Sequence, residues 1–121
     1  FPEGSAFLQP QFRPIIQEVA TALKEIPGEI TISGHSDNEQ VVSEIYSSRW
    51  DLSSKRAVAV AEEMLKVEDF SEDRMVVMGY SDTKPLVPNN SEENRRRNRR
   101  VEISVMQGKA AESEQQVDVI D

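Results

Sequence analysis

The chain contains no cysteine, which excludes disulfides and thiolate chemistry and leaves the compartment open. A single histidine argues against a multi-histidine metal site. No apolar run approaches the roughly 20 residues a membrane helix needs, no signal peptide is visible, and the first residue is Phe1 rather than Met. The sequence therefore reads as an excised domain whose targeting or anchoring segment lies upstream. What is present suits one compact domain. The chain has 121 residues, 37% of them apolar and 30% charged, with a net charge of −8. That acidic balance argues against binding of the whole domain to nucleic acid or an anionic membrane.

Periodicity divides the chain. Residues 1–8 are mixed and predict at most a brief edge strand. From Pro10, a first-turn proline, the apolar positions Phe12, Ile15, Ile16, Val19, Ala20, Leu23 and Ile26 keep the spacing of one buried helix face. Pro27-Gly28 ends that helix, and Glu29 to Gly34 follows as an alternating strand. A polar connection runs from Asn38 to Trp50. The next amphipathic helix, capped by Asp51 or Ser53, carries Ala57, Val60, Ala61, Met64 and Leu65 inward. Met75 to Met78 is a continuous apolar run and predicts a strand buried on both faces. A proline- and asparagine-rich loop follows, then a short helical turn from Ser91, then the alternating strand Val101 to Val105. Residues 108–121 are acidic and Gln-rich and read as a disordered tail. The order predicts an α/β two-layer sandwich, a mixed sheet of about four strands with helices on one face, over residues 1–107.

The polar cluster His35-Ser36-Asp37 closes the first long strand, and Arg56 follows nineteen residues later at the expected start of a helix. A carboxylate at a strand end and a guanidinium at a helix start can face one ligand that carries both charges. An Asp after a strand is, by itself, more often a turn residue than a ligand contact. A catalytic triad is rejected, because three consecutive residues do not easily relay through hydrogen bonds and no oxyanion donors are evident. His35 reads instead as a hydrogen-bonded structural residue. The run Arg95, Arg96, Arg97, Arg99, Arg100 lacks the aromatic platforms of a nucleic-acid surface and reads mostly as salt bridges to the many acidic side chains.

Four blocks then resemble the OmpA-like peptidoglycan-binding domains. Ile32, Gly34, His35, Ser36 and Asp37 match I-x-G-H-T-D. Arg49, Leu52, Ser53, Arg56 and Ala57 match N-x-x-L-S-x-x-R-A. Gly79-Tyr80 matches a strand end, and Asn89, Ser91, Arg95, Asn98, Arg99, Arg100, Val101 and Glu102 match N-x-T-x-x-G-R-x-x-N-R-R-V-E. The blocks span about residues 4–106. The lead-in Gly4-Ser5-Ala6, Leu8-Gln9-Pro10 and the stretch Trp50-Asp51-Leu52-Ser53 resemble the branch formed by the periplasmic domains of flagellar stator B subunits, MotB and PomB. Ser36 stands for Thr, Asn94 for Gly and Arg49 for Asn.

The resemblance implies a non-catalytic module, with no cofactor and no metal, that anchors an ion-driven motor to peptidoglycan. It implies that Asp37 receives the ammonium, and Arg56 the carboxylate, of a stem-peptide diaminopimelate, with Arg95, His35, Arg49 and Leu52 around them. It also implies a homodimer, a channel-forming A subunit of MotA or PomA type as partner, and a periplasmic location below an inner-membrane anchor. A general envelope tether of Pal or OmpA type is the alternative within the family. A wall-peptide hydrolase using His35 and Asp37 is the alternative outside it.

Overall fold

The computed structural model describes residues 1–41, 44–106 and the backbone of 115–120. In chain order its elements are α1 (Arg13–Lys24), β1 (Glu29–Gly34), α2 (Arg49–Met64), β2 (Met75–Gly79), α3 (Glu92–Asn98), β3 (Arg100–Met106) and β4 (Gln115–Ile120). Single 3-10 turns, Pro10–Phe12 and Glu72–Arg74, precede α1 and β2. The sheet order is β2-β1-β3-β4. Strand β1 pairs parallel with β2 and antiparallel with β3, and β3 pairs antiparallel with β4. Helix α2 supplies the crossover that a parallel β1–β2 pair requires.

The core follows from register. Ile30 lies opposite Val105 and Ile32 opposite Ile103, so the apolar sets of β1 and β3 share one face. Against that face pack Ile16, Ala20 and Leu23 of α1 and Ala57, Val60 and Met64 of α2, all buried. This is the expected two-layer α/β sandwich. Two glycines let α2 press onto the strand ends. Gly34 and Gly79 are register partners. A Cβ at Gly34 would lie 1.9 Å from the Ser53 carbonyl oxygen, and one at Gly79 would lie 2.1 Å from Ser54 Oγ. Arg74 closes the end of α1 and the following turn by donating to the carbonyls of Leu23, Ile26 and Gly28.

Five expectations change, the first being Leu65, expected inward but exposed at the C-cap of α2. Ile15 is 51% exposed, because α1 proper starts at Arg13 after the 3-10 turn and its buried positions are Ile16, Ala20 and Leu23. Strand β2 is not buried on both faces: it is a sheet edge, and Val77 and Met78 are exposed. Residues 1–8 form a turn and an irregular segment rather than an edge strand, since the carbonyls of Phe1, Pro2 and Ser5 accept from arginine side chains instead of a strand ladder. Within the expected disordered tail, residues 115–120 form β4, with Val117 opposite Ile103 and Val119 opposite Val101. The alternation Val117-Asp118-Val119 suits that register. The rest of the tail lies outside the described residues.

Candidate functional site

Asp37 lies three residues past the end of β1 and is buried. Its Oδ1 accepts from the Glu39 backbone N–H at 2.9 Å, a two-residue side-chain turn that fixes the carboxylate. Its Oδ2 accepts from Arg99 Nη1 at 2.8 Å, a pair with both side chains almost wholly buried. Arg99 also donates to Glu92 Oε2 at 3.0 Å and to the Phe1 carbonyl at 3.3 Å. Burial by itself would lower the Arg99 pKa, but the hydrogen bonds to Asp37 and Glu92 more than offset it, so the net shift is upward. The same contact, chiefly the hydrogen bond from Arg99, holds the Glu92 carboxyl below its ordinary value.

Over Asp37 opens a cavity of about 580 Å³, lined in part by Glu3, Gly4, Asp37, Glu39 and Leu52. Three carboxylates line the opening, two of them paired with arginines, Asp37 with Arg99 and Glu39 with Arg95. Arg95 pairs with one of the lining residues, its Nε lying 3.1 Å from Glu39 Oε1 and 3.4 Å from Glu92 Oε1. The structure thus brings together Asp37, Leu52 and Arg95.

Arg56 is placed otherwise than expected. Ser48, not Asp51 or Ser53, caps α2, its side chain accepting from the Asp51 N–H at 3.1 Å. The helix begins at Arg49, so Arg56 sits about two turns inside it and gains nothing from the helix N-terminus. It is fully buried. Nε donates to the Ser5 carbonyl at 2.8 Å, Nη2 to the Pro2 carbonyl at 3.0 Å and Nη1 to the His35 carbonyl at 3.0 Å. Its guanidinium also lies 5.5 Å from the Phe1 ring centroid. Burial, the largest influence, pushes its pKa down to about 10, which leaves it charged at neutral pH. Such a set of donors fits a planar guanidinium and would not be reproduced by lysine.

Arg49 does not pair with Asp37. Its Nε is 3.4 Å from Asp82 Oδ1, and it lines a neighbouring cavity with Trp50 and Ser81. The two cavities share Gln40 and Val41. His35 turns the other way. Its ring stacks on Tyr80 at 5.3 Å, with Nε2 3.8 Å from Glu102 Oε2, and it lines a cavity on the sheet face away from α1 and α2. Only its backbone reaches Arg56. Asp37 pairs with Arg99, whereas the His35 ring stacks on Tyr80 and faces Glu102. Among the described residues, no group of three or more His, Asp or Glu is arranged to hold a metal ion.

Sequence reasoning missed Arg99, Glu3 and Glu39. Of the five clustered arginines, Arg99 and Arg100 are buried and Arg96 and Arg97 exposed. The signal available was position: Arg99 and Arg100 lie at the entry to the alternating strand, where side chains are drawn into the fold. Neighbouring Asn98 is also buried and pins the preceding loop, accepting from the N–H groups of Leu86 and Val87 and donating to the Val87 carbonyl.

A mixed sheet with this order, two helices on one face and a buried Asp–Arg pair at the end of β1 define an OmpA-type domain. A family model described as the OmpA family matches residues 1–99, and the chain belongs to that family. It is 33% identical over 113 residues to the uncharacterized protein YtxE of Bacillus subtilis, covering 93% of this chain and 47% of the relative. It is 32% identical over 114 residues to Motility protein B of the same organism, covering 93% and 44%. The chain therefore spans about half the length of these relatives. Among solved structures, the C-terminal domain of Helicobacter pylori MotB superposes with a TM-score of 0.79 at 26% identity, over 85% of this chain and 79% of that one. The cell wall anchor of the type VI secretion system (T6SS) of Pseudomonas aeruginosa superposes with 0.77 at 40% identity, over 87% and 73%.

Proposed function

We propose that the chain is a non-catalytic peptidoglycan-binding module that anchors an ion-driven flagellar stator to the cell wall. The observation that carries the binding role is the cavity at Asp37, where Glu3, Asp37 and Glu39 surround an opening large enough for the end of a peptide side chain. In this reading the ammonium of a stem-peptide diaminopimelate enters there, Leu52 packs against its methylenes, and Arg56 receives its carboxylate. Arg95 holds Glu39, and Arg49 stands one cavity further along. His35 contributes through its carbonyl alone. The relatives named Motility protein B support the stator role. With that role come a periplasmic location, an inner-membrane anchor elsewhere in the protein, a homodimer and an A-type channel subunit as partner. The module includes β4 as well as the expected span 1–107, since that strand completes its sheet.

A specific observation favours a second reading, a wall tether without a motor. The solved T6SS cell wall anchor is 40% identical to this chain, against 26% for the Helicobacter pylori MotB domain. Co-sedimentation with purified peptidoglycan tests the binding role, and a chain that stays in the supernatant refutes it. Replacing the matching domain of a Motility protein B with this chain separates the two readings. Restored swimming supports the stator, and wall binding without swimming supports the tether.

A further inference from the structure

Arg56 presents two edges. The edge formed by Nε and Nη2 is the one that grips a carboxylate with two parallel hydrogen bonds. In this structure both donors of that edge are occupied by backbone carbonyls, Ser5 on Nε at 2.8 Å and Pro2 on Nη2 at 3.0 Å. The two carbonyls belong to the two ends of one tight turn. Ser5 N–H closes it onto the Pro2 carbonyl at 3.2 Å, and Gly4 adopts the left-handed φ of 65° within it. The turn thus offers Arg56 two oxygens where a ligand carboxylate would offer its own pair. The same segment walls off the Asp37 cavity, through Glu3 and Gly4. Phe1 anchors its start, with the side chain buried in the core and the carbonyl accepting from Arg99 Nε, and beyond its end Ala6 N–H donates to Tyr46 Oη at 3.0 Å.

We infer that residues 2–5, hinged on the buried Phe1, form a strap that competes within the molecule for Arg56, and that a ligand carboxylate binds only when this strap lifts. The inference rests on the wall-peptide reading given above. With the strap down, the cavity is an acidic pocket that accepts an ammonium, and the bidentate edge of Arg56 is closed to an anion. With it lifted, Glu3 and Gly4 leave the wall, and the cavity opens through to the bidentate edge of Arg56. Affinity for a zwitterionic ligand is then reduced by the fraction of molecules whose strap is down.

Gly4 allows the strap to be loosened without changing a charged or hydrogen-bonding side chain of the site. It is exposed, and a Cβ built there meets nothing within 4 Å, so Gly4→Ala creates no clash. Alanine pays a steric cost only in the closed, left-handed turn, which shifts the closed-to-open ratio by about 5- to 30-fold. Tyr46→Phe is an independent second variant that removes the acceptor for Ala6 N–H.

The experiment is calorimetric titration of the 121-residue chain and both variants with a diaminopimelate-containing muropeptide, with hydrogen exchange followed at the Ser5 amide. The expected result is tighter binding by both variants, approaching 5- to 30-fold for Gly4→Ala, together with faster Ser5 exchange in the parent chain once the muropeptide is added. If the parent binds and neither variant binds more tightly, or if ligand leaves Ser5 exchange unchanged, the strap is a fixed structural cover. The inference is then wrong while the wall-binding reading stands. If no chain binds the muropeptide, the wall-peptide reading itself falls, and the inference with it.

Discussion

The Asp37–Arg99 pair allows the sharpest quantitative test of the site's construction. Asp37→Asn keeps the shape of the side chain and removes its charge. Breaking one member of a buried ion pair costs about 3–5 kcal/mol, because the other charge is left without compensation. Here the loss is cushioned. Arg99 keeps Glu92 at 3.0 Å and the Phe1 carbonyl at 3.3 Å, and asparagine still offers one oxygen. The expected cost is therefore about 2–3 kcal/mol. Arg99→Leu strands Asp37 with the Glu39 N–H and should cost about 2–4 kcal/mol. Urea denaturation of both single variants and the double variant closes the cycle. The double variant should fall short of the sum by about 0.5–3 kcal/mol, the range for residues in direct contact. Additivity within about 0.5 kcal/mol would refute the reasoning. Asp37 would then be a site residue whose charge the fold ignores, and its substitution would report on binding alone.

Three further outcomes follow from the packing. Leu23 is 5% exposed, and Leu23→Ala should lower stability by about 2–5 kcal/mol in the same denaturation assay. Gly34→Ala drives a methyl group into the Ser53 carbonyl and should cost at least about 3 kcal/mol, with α2 displaced in the near-ultraviolet circular dichroism if the chain folds at all. For Glu63, burial would raise the pKa, but hydrogen bonds from Gln17 and Lys66 outweigh it and bring the carboxyl below its usual value of 4.5. A depressed folded-state pKa stabilises above the unfolded value, and that contribution is lost as pH falls through the folded one. Glu63→Gln should therefore flatten the acid limb of a stability–pH profile, and an unchanged limb would show that Glu63 contributes nothing to it.

How much the sequence discloses depends on how local each feature is. Helix α1 and strand β1 are legible because Ile16, Ala20 and Leu23, and then Ile30 and Ile32, carry their period in consecutive residues. The start of α2 was also locally encoded, as Ser48 followed three residues on by Asp51. Carrying the polar connection through to Trp50, which is exposed, places the helix start too late. The run Met75 to Met78 states that a strand exists but not whether it has neighbours on both sides, and edge position is a property of the whole sheet. In β4 the alternation Val117-Asp118-Val119 is masked by an acidic, Gln-rich context. Arg56 was the least legible of all. Its position in a motif is plain, but its partners are Pro2 and Ser5, more than fifty residues away in sequence, and no local pattern announces such a contact. Arg99, whose partner Asp37 is equally remote, was hidden for the same reason.

The central claim is that this domain takes a diaminopimelate-bearing wall peptide at the Asp37 cavity. The most direct measurement is a nuclear magnetic resonance titration of the isotope-labelled chain with a muropeptide, followed residue by residue. The account predicts shifts that saturate together at residues 2–5, 37–41, Leu52 and Arg95, with the Arg56 Nε–H among them. Shifts confined instead to the opposite sheet face, at Tyr80, Arg100 and Ser104, or none at all at saturating peptide, would contradict it.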